Sequence, residues 1–155
     1  MDVVFDTGSD WLAIEGSKCE TCDGNTYDGD DSGVKVAHNI SERTYGSVRI
    51  EGYEWQDDVC LSEALCINDF KFFLIYLQQG RSGFNGIKEP VDGILGMCRG
   101  KIPVNKLNYE AGPLYVENLK KQDITDINIF SFYLADPDEV SFVDFNGFAK
   151  DRIKG

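Results

Sequence analysis

The hydrophobic pattern of the chain consists of short apolar runs separated by polar and glycine-rich segments. The longest run, Phe70–Leu77, is rich in aromatic residues. A run of this length between polar segments is typical of a buried strand, so we predict a central strand there. Strand-favouring residues over Arg43–Tyr53, with Gly46 near the tip, predict a hairpin, and the pattern continues as a strand over Trp55–Cys60.

Further segments also have the pattern of regular structure. The run Pro113–Lys121 begins with proline, which suits the first helical position, and ends with two lysines, so we predict a helix. Short strands are predicted over Val3–Phe5, Trp11–Ile14, Val91–Met97, Ile127–Leu134 and Ser141–Gly147. Many short strands with one or two short helices predict an all-β fold.

Charge and composition then narrow the class of protein. The 155 residues include 15 Lys and Arg against 27 Asp and Glu, a net charge of −12. Because phosphate binding needs clustered Lys and Arg, we expect neither nucleic acid nor an anionic membrane surface as a partner. No apolar run reaches the roughly 18 residues of a membrane span. Apolar residues make up 42% of the chain, which is enough for a core, so we expect it to fold.

Five cysteines restrict the chemistry further. Cys19 and Cys22 could form half of a zinc site, but no second such pair follows and the only histidine is His38. No metal is therefore expected. The favoured interpretation is two short-range disulfides, Cys19–Cys22 and Cys60–Cys66, with Cys98 left over.

The disulfides point to an oxidising compartment, and the N-glycosylation sequon Asn39-Ile40-Ser41 agrees with it. The chain opens inside a predicted strand, and no signal peptide precedes it. We therefore expect a sequence that is truncated at its N-terminus.

A carboxylate stands at the end of the first apolar strand, in Asp6-Thr7-Gly8-Ser9. Aspartate is rare in strands and costly to bury, so this carboxylate needs hydrogen-bond partners. The segment is either a catalytic loop or an ordinary surface turn. A second triplet, Asp31-Ser32-Gly33, has polar flanks and no apolar strand before it, so we interpret it as a solvated turn.

Three motifs occur in the order and approximate spacing of one family. Asp6-Thr7-Gly8-Ser9 is similar to a catalytic loop, Tyr45-Gly46 to a flap that closes over substrate, and Val91–Gly96 to a strand that crosses the loop. Phe130–Leu134 and Ser141–Gly147 resemble the strands that close the lobe. Over nearly all of its length the chain thus resembles the N-terminal lobe of pepsin-like aspartic endopeptidases, of the peptidase A1 type.

The resemblance implies a closed or sandwiched, barrel-like β lobe over residues 1–155. It implies that Asp6 is one of two catalytic aspartates. Thr7 and Gly8 would fix the turn, and Ser9 would hydrogen-bond the carboxylate. Tyr45 and Gly46 would form the flap.

The resemblance also implies a mechanism. Two carboxylates share one proton, and a water activated between them attacks a peptide carbonyl, so no metal or cofactor is needed. The second aspartate belongs to a second lobe outside these residues, so the chain alone is expected to be inactive. The alternative is a catalytically inactive pepsin-fold protein that binds peptides or inhibits enzymes. The family and the cysteines together imply a secreted or a lysosomal or vacuolar protein.

Four apolar residues are candidates either for a substrate pocket or for plain core: Val4, Phe84, Val91 and Ile94. Asp92 lies at a position that matches the family, and we interpret it as structural. His38 is interpreted as a surface histidine.

The chain departs from the family pattern around the flap. Ala13 stands where the family usually has a tryptophan bonded to the flap tyrosine, and Trp11 is displaced by two residues. Val48 and Arg49 replace the small residues that usually follow the flap. These departures bear on flap closure and on fine specificity.

Overall fold

The computed structural model describes residues 1–46, 48–80, 91–99 and 112–150, and a seven-stranded sheet runs through them. Its strands are β1 Val3–Asp6, β2 Leu12–Glu15, β3 Val34–Lys35, β4 Ser41–Tyr45, β5 Val48–Ser62, β6 Leu65–Gln79 and β7 Gly93–Gly96. A second sheet pairs β8 Phe130–Tyr133 with β9 Phe142–Phe145. Helices α1 and α2 span Gly29–Ser32 and Tyr115–Lys121. The described residues confirm the all-β prediction, with two short helices.

The large sheet has the strand order β1-β7-β2-β6-β5-β3, and β4 also pairs with β5. Within the described residues its two ends, β1 and β3, do not pair, so the sheet is open. The expected barrel-like closure is therefore wrong for this part of the chain. Among the described residues, the sheet ends on one side in β3, a strand of two residues that pairs only with β5.

The two longest strands, β5 and β6, form an antiparallel ribbon of 15 residues each. The predicted strand Phe70–Leu77 lies inside β6, and β6 lies between β2 and β5, which confirms its central position. The predicted strand over Trp55–Cys60 is not separate, because β5 continues from its hairpin with β4 through irregularities in register near Gly52 and Val59.

Strand β7 lies between two strands that are consecutive in the chain. It runs parallel to β1, with Val4 opposite Ile94, and antiparallel to β2, with Ala13 opposite Ile94. Two glycines make this approach possible. A Cβ at Gly93 would lie 2.2 Å from the carbonyl oxygen of Ala13, and one at Gly96 would lie 2.6 Å from the backbone nitrogen of Trp11.

The apolar core lies on both sides of the sheet. One cluster includes Phe70 and Phe72 from β6 and is covered by Tyr115 and Leu119 of α2. The Tyr115 hydroxyl donates to the carbonyl oxygen of Leu65 at 3.1 Å. The other cluster, which we call the flap-side cluster, consists of Trp11, Ala13, Cys19, Val48, Ile50, Phe73 and Ile75.

The predicted elements near the C-terminus are confirmed but are shorter than expected. Helix α2 begins at Tyr115 after Leu114, and β8 and β9 each contain four residues. Neither helix in the described ranges is long and apolar enough to cross a membrane.

The segment 31–33 was predicted as a solvated turn, and the structure corrects this. Asp31 and Ser32 belong to α1, where Asp31 is exposed, and Gly33 caps the end of this single helical turn. The side chain of Asp28 accepts a hydrogen bond from the amide of Asp30 at 3.1 Å. An aspartate N-cap followed by acidic residues favours a helix start, which accounts for the difference.

Substitution of Gly96 by alanine tests the insertion of β7. The added Cβ would meet backbone on the turn between β1 and β2, so the free energy of unfolding should fall by about 3 kcal/mol or more. Gly46→Ala is the control. Its Cβ meets nothing within 4 Å, so only the backbone angle φ of +57° opposes the change, at about 1 kcal/mol. Urea unfolding measures both, and equal losses would contradict the close approach at Gly96.

Candidate active site

The carboxylate of Asp6 lies at the C-terminal end of β1, half-buried and followed at once by a turn. Its Oδ1 accepts a hydrogen bond from the amide of Gly8 at 2.9 Å. Its backbone oxygen accepts from the amide of Met97 at 2.7 Å. Thr7 and Gly8 are exposed. The residue is therefore held through its main chain, and its side chain faces the turn.

The turn after Asp6 is attached to the segment that follows β7. The amide of Cys98 donates to Ser9 O at 2.9 Å, and the amide of Gly96 donates to Trp11 O at 2.9 Å. The buried carboxylate of Asp10 accepts from the amide of Gly112 at 2.9 Å. Sequence reasoning missed Asp10, although a second carboxylate directly before a tryptophan was a visible signal.

Ser9 does not make the contact that was expected. Its Oγ is buried and has no hydrogen-bond partner among the described residues, so the hydrogen bond to the Asp6 carboxylate is not formed in this structure. The support of Asp6 that the structure does show comes from backbone amides. The rotation of a serine side chain depends on its neighbours, which the sequence motif alone does not specify.

Cys98 lies close to this turn and forms neither of the two disulfides. Burial raises the pKa of its thiol, and the negative charges of Asp10 and Asp6 raise it further.

Both predicted disulfides, Cys19–Cys22 and Cys60–Cys66, are confirmed.

Tyr45 and Gly46 lie at the tip of the hairpin between β4 and β5. Tyr45 pairs with Val48, and Gly46 has a positive φ of 57°. Tyr45 packs against the flap-side cluster, which contains Trp11 and Ala13. Trp11 lies directly before β2, and Ala13 lies within it. The displaced tryptophan therefore lies on the same side of the sheet as the position it would otherwise occupy.

A buried ion pair anchors the base of this hairpin. One guanidinium nitrogen of Arg43 lies 3.6 Å from Glu54 Oε1, and both side chains are buried. The guanidinium carbon lies 4.9 Å from the ring centroid of Trp11 and 4.8 Å from that of Phe73. Sequence reasoning missed this pair, because nothing local in the sequence connects residues on two different strands.

Of the four candidate pocket residues, the structure brings two together. Val4 and Ile94 are register partners in adjacent strands, with Val4 half-buried and Ile94 buried. Val91 is half-buried just before β7. Phe84 lies outside the described residues. His38 is exposed, as predicted.

Asp92 and Glu15 form a buried carboxylate pair beside the disulfide loop. Asp92 accepts hydrogen bonds from the amides of Asp2 and Asn25. Glu15 accepts from the amide of Gly24 at 2.8 Å and from Gln78 Nε2 at 3.1 Å. Asp92 thus joins the N-terminus to the loop, which supports its interpretation as structural.

The pKa values of the two carboxyl groups are shifted in opposite directions. Burial raises the pKa of Glu15 above its ordinary 4.5, and the charges of Asp23 and Asp92 add to the rise. Burial also acts to raise the pKa of Asp92, but its hydrogen bonds from Asp2 and Asn25 outweigh burial and lower it. Burial therefore disfavours the ionised form of Glu15, whereas hydrogen bonds stabilise the ionised form of Asp92.

Replacing Glu54 by glutamine should remove the carboxylate charge that lies 3.6 Å from the buried Arg43 cation and lower the free energy of unfolding by about 3 kcal/mol. An exposed pair on the same hairpin gives the control. Arg49 and Glu42 lie 2.7 Å apart with both side chains 48% exposed, so Glu42→Gln should change stability by less than about 1 kcal/mol. Equal effects in urea unfolding would contradict the anchor.

The Glu15→Gln variant should change how stability depends on pH. The fold raises the pKa of Glu15, so its stabilising contribution is full below 4.5 and is lost as pH rises through the folded-state pKa. Stability of the variant relative to the parent should therefore increase as pH rises from 4.5 towards neutrality. Urea unfolding at several pH values measures this, and a pH-independent difference would contradict it.

Comparison with known proteins places this geometry in a family. The profile of eukaryotic aspartyl proteases matches residues 1–155. Vacuolar protease A of Neurospora crassa is 34% identical over 157 residues, which cover 99% of this chain and 37% of that protein. Human cathepsin D is 35% identical over 150 residues, which cover 88% of this chain and 35% of that protein. The chain spans about a third of the length of these relatives and belongs to the eukaryotic aspartyl protease family.

Proposed function

We propose that residues 1–155 form the first lobe of an aspartic endopeptidase and that Asp6 is one of its two catalytic aspartates. The observation that carries the proposal is the attachment of the Asp6 turn to the β7 segment through the backbone oxygens of Asp6, Ser9 and Trp11. Membership of the aspartyl protease family supports it. A carboxylate used in catalysis must keep one position, and three backbone hydrogen bonds restrict this loop.

In the proposed mechanism, Asp6 shares a proton with a second aspartate. Like charges about 3 Å apart cannot both ionise, so one carboxyl is protonated while the other is ionised. The ionised group removes a proton from a shared water, which attacks the peptide carbonyl, and the protonated group later supplies a proton to the leaving amine. Oδ1 of Asp6 accepts a hydrogen bond from the amide of Gly8, so Oδ2 is the oxygen that would contact the water.

Tyr45 is proposed to cover the scissile bond at the tip of the flap. Its hairpin is held at the base by Arg43 and Glu54, which lie against the body of the sheet. A hairpin fixed at the base and exposed at Gly46 can close over a peptide and exclude water. Val4 and Ile94 are proposed to contribute to a pocket for an apolar substrate side chain.

The second aspartate is proposed to come from a second lobe. The relatives are about three times as long as the matched segment, so they contain ample sequence for one. An apolar groove of about 530 Å³ beside β1 supports this. Two of the side chains that line it are exposed to solvent, Phe132 by 40% and Leu134 by 81%. Exposed apolar surface of this kind marks an interaction face.

The proposed location is a vacuole, a lysosome or the extracellular space. The relative from Neurospora crassa is named as a vacuolar protease. The two disulfides agree with an oxidising compartment.

One observation favours a second candidate function, an inactive pepsin-fold protein that binds peptides. Ser9 Oγ makes no hydrogen bond to Asp6, so this support of the carboxylate is missing here. Such a protein would bind peptides in the same cleft without cleaving them.

An activity assay distinguishes these candidates. The 155-residue chain should not digest haemoglobin at about pH 3–5, the range in which such a dyad is singly protonated. A fusion of this chain to the remaining part of human cathepsin D should cleave it, and Asp6→Asn in that fusion should lower kcat by about a thousandfold or more.

Asp31→Asn is the matched control for the fusion, because Asp31 begins the similar triplet Asp-Ser-Gly and is exposed on α1. It should leave kcat unchanged. Robust cleavage by the 155-residue chain alone, lost on Asp6→Ala, would contradict the need for a second lobe. A folded fusion that binds peptides without cleaving them would favour the inactive candidate.

A further inference from the structure

The turn between β1 and β2, residues 7–11, is approached closely by two other segments at Asp10. A Cβ on Gly96 of β7 would lie 2.7 Å from the backbone nitrogen and the carbonyl carbon of Asp10. A Cβ on Gly112, just before α2, would lie 2.6 Å from the carbonyl oxygen of Asp10. The backbone of Asp10 is therefore the point at which both segments meet the turn that follows Asp6.

The side chain of Asp10 adds a hydrogen bond to these contacts. Its carboxylate accepts from the amide of Gly112 at 2.9 Å, across 102 positions of the chain, and the residue is 1% exposed. A buried carboxylate is costly, and asparagine offers an oxygen for the same hydrogen bond without a buried charge. The hydrogen bond explains an acceptor at this position, but the negative charge needs a further explanation.

The charge of Asp10 acts on the groups around the turn. Burial raises the pKa of the Cys98 thiol, which follows β7. Three carboxylates raise it further, those of Asp10, Asp6 and, on α2, Glu117. The neighbouring Arg99 is exposed, so solvent screens its charge. The described groups around the turn therefore favour retention of a proton at this place.

We propose that Asp10 is a positioning residue for Asp6. Its carboxylate fixes the turn to the segment before α2, and its negative charge raises the pH at which the catalytic pair loses its shared proton. The inference deepens the proposed function and rests on it, since it needs Asp6 to be one of two catalytic aspartates.

The sign of the effect follows from the proton that the pair must keep. The pair works while one proton is shared between its carboxyl groups, and activity falls when that proton leaves as pH rises. A nearby negative charge disfavours the doubly ionised pair. Asp10 should therefore extend activity towards higher pH.

Cys98 reports the charge of Asp10 without any peptidase activity. The structure describes all five cysteines, and only Cys98 lies outside the two disulfides. Iodoacetamide reacts with the thiolate, so the midpoint of its pH dependence in the 155-residue chain gives the pKa of Cys98. Asp10→Asn should lower that pKa by about 0.5 unit or more, because it removes a nearby like charge.

Two further variants calibrate the thiol titration. Asp6→Asn should lower the pKa of Cys98 by less than Asp10→Asn does, and Asp31→Asn, which alters an exposed carboxylate on α1, should leave it unchanged. A pKa of Cys98 that is the same in Asp10→Asn as in the parent would overturn the proposal.

Urea unfolding separates the hydrogen bond of Asp10 from its charge. Asparagine keeps an oxygen for the amide of Gly112, whereas alanine leaves that buried amide without this acceptor. Asp10→Ala should therefore lower the midpoint of unfolding by more than Asp10→Asn does. Equal midpoints in the two variants would overturn the attachment of the turn to the segment before α2.

The two-lobe fusion with the remaining part of human cathepsin D tests the effect on the catalytic pair. Asp10→Asn should move the upper limb of the pH profile of kcat/KM to lower pH by about 0.5 unit, a shift that a loss of packing alone would not produce. Asp31→Asn should leave the limb in place.

An upper limb that stays at the parental pH in Asp10→Asn would overturn the proposal. A parent fusion that folds but does not cleave haemoglobin would contradict the proposed function instead. The titration of Cys98 would then still decide whether the charge of Asp10 acts at the turn.

Discussion

The structure depends most on the backbone contact between β7 and the turn that follows β1. The backbone amides of residues 96–98 donate hydrogen bonds to three backbone oxygens of the turn, those of Asp6, Ser9 and Trp11. The contact requires glycine at Gly93 and Gly96, because a side chain at either position would overlap the backbone of a neighbouring strand. The position of the Asp6 carboxylate thus follows from main-chain geometry, and the motif residues around it need only permit the turn.

Buried charges provide the second constraint, at the base of the flap hairpin. A slip of one residue in strand pairing would move every side chain of β4 to the opposite face of the sheet. The guanidinium of Arg43 opposes such a slip, because it lies near Glu54 and against the rings of Trp11 and Phe73. The ion pair therefore contributes specificity to the hairpin that carries Tyr45, whatever its net contribution to stability.

Much of the fold could be predicted because its signals are local. Glycine at the flap tip, proline and lysines around α2, and the alternating strands each follow from a few neighbouring residues. The partners of buried polar groups could not be predicted in this way. Arg43 and Glu54 lie on different strands, and Glu15 and Asp92 are 77 positions apart in the chain.

The candidate site shows the same division between local and distant information. The proposed catalytic loop and flap were visible as short motifs, and the structure confirms the hairpin over Ser41–Tyr45 and Val48–Ser62 and the strand β7 beside the Asp6 turn. Sequence matching placed Ala13 where a tryptophan is usual, but only the packing of the folded chain shows that Trp11 and Ala13 belong to the same buried cluster. The open sheet in the described residues also escaped prediction, because the pairing of strands depends on residues that are far apart in the chain.

The most direct test of the central claim is a crystal structure of the two-lobe fusion with a peptide that carries a hydroxyl group in place of the scissile carbonyl. If Asp6 is one member of the catalytic pair, its carboxylate should lie about 2.6–3.2 Å from that hydroxyl, with the second aspartate at a similar distance. A peptide bound in the cleft with its hydroxyl out of hydrogen-bond reach of Asp6 would contradict the account.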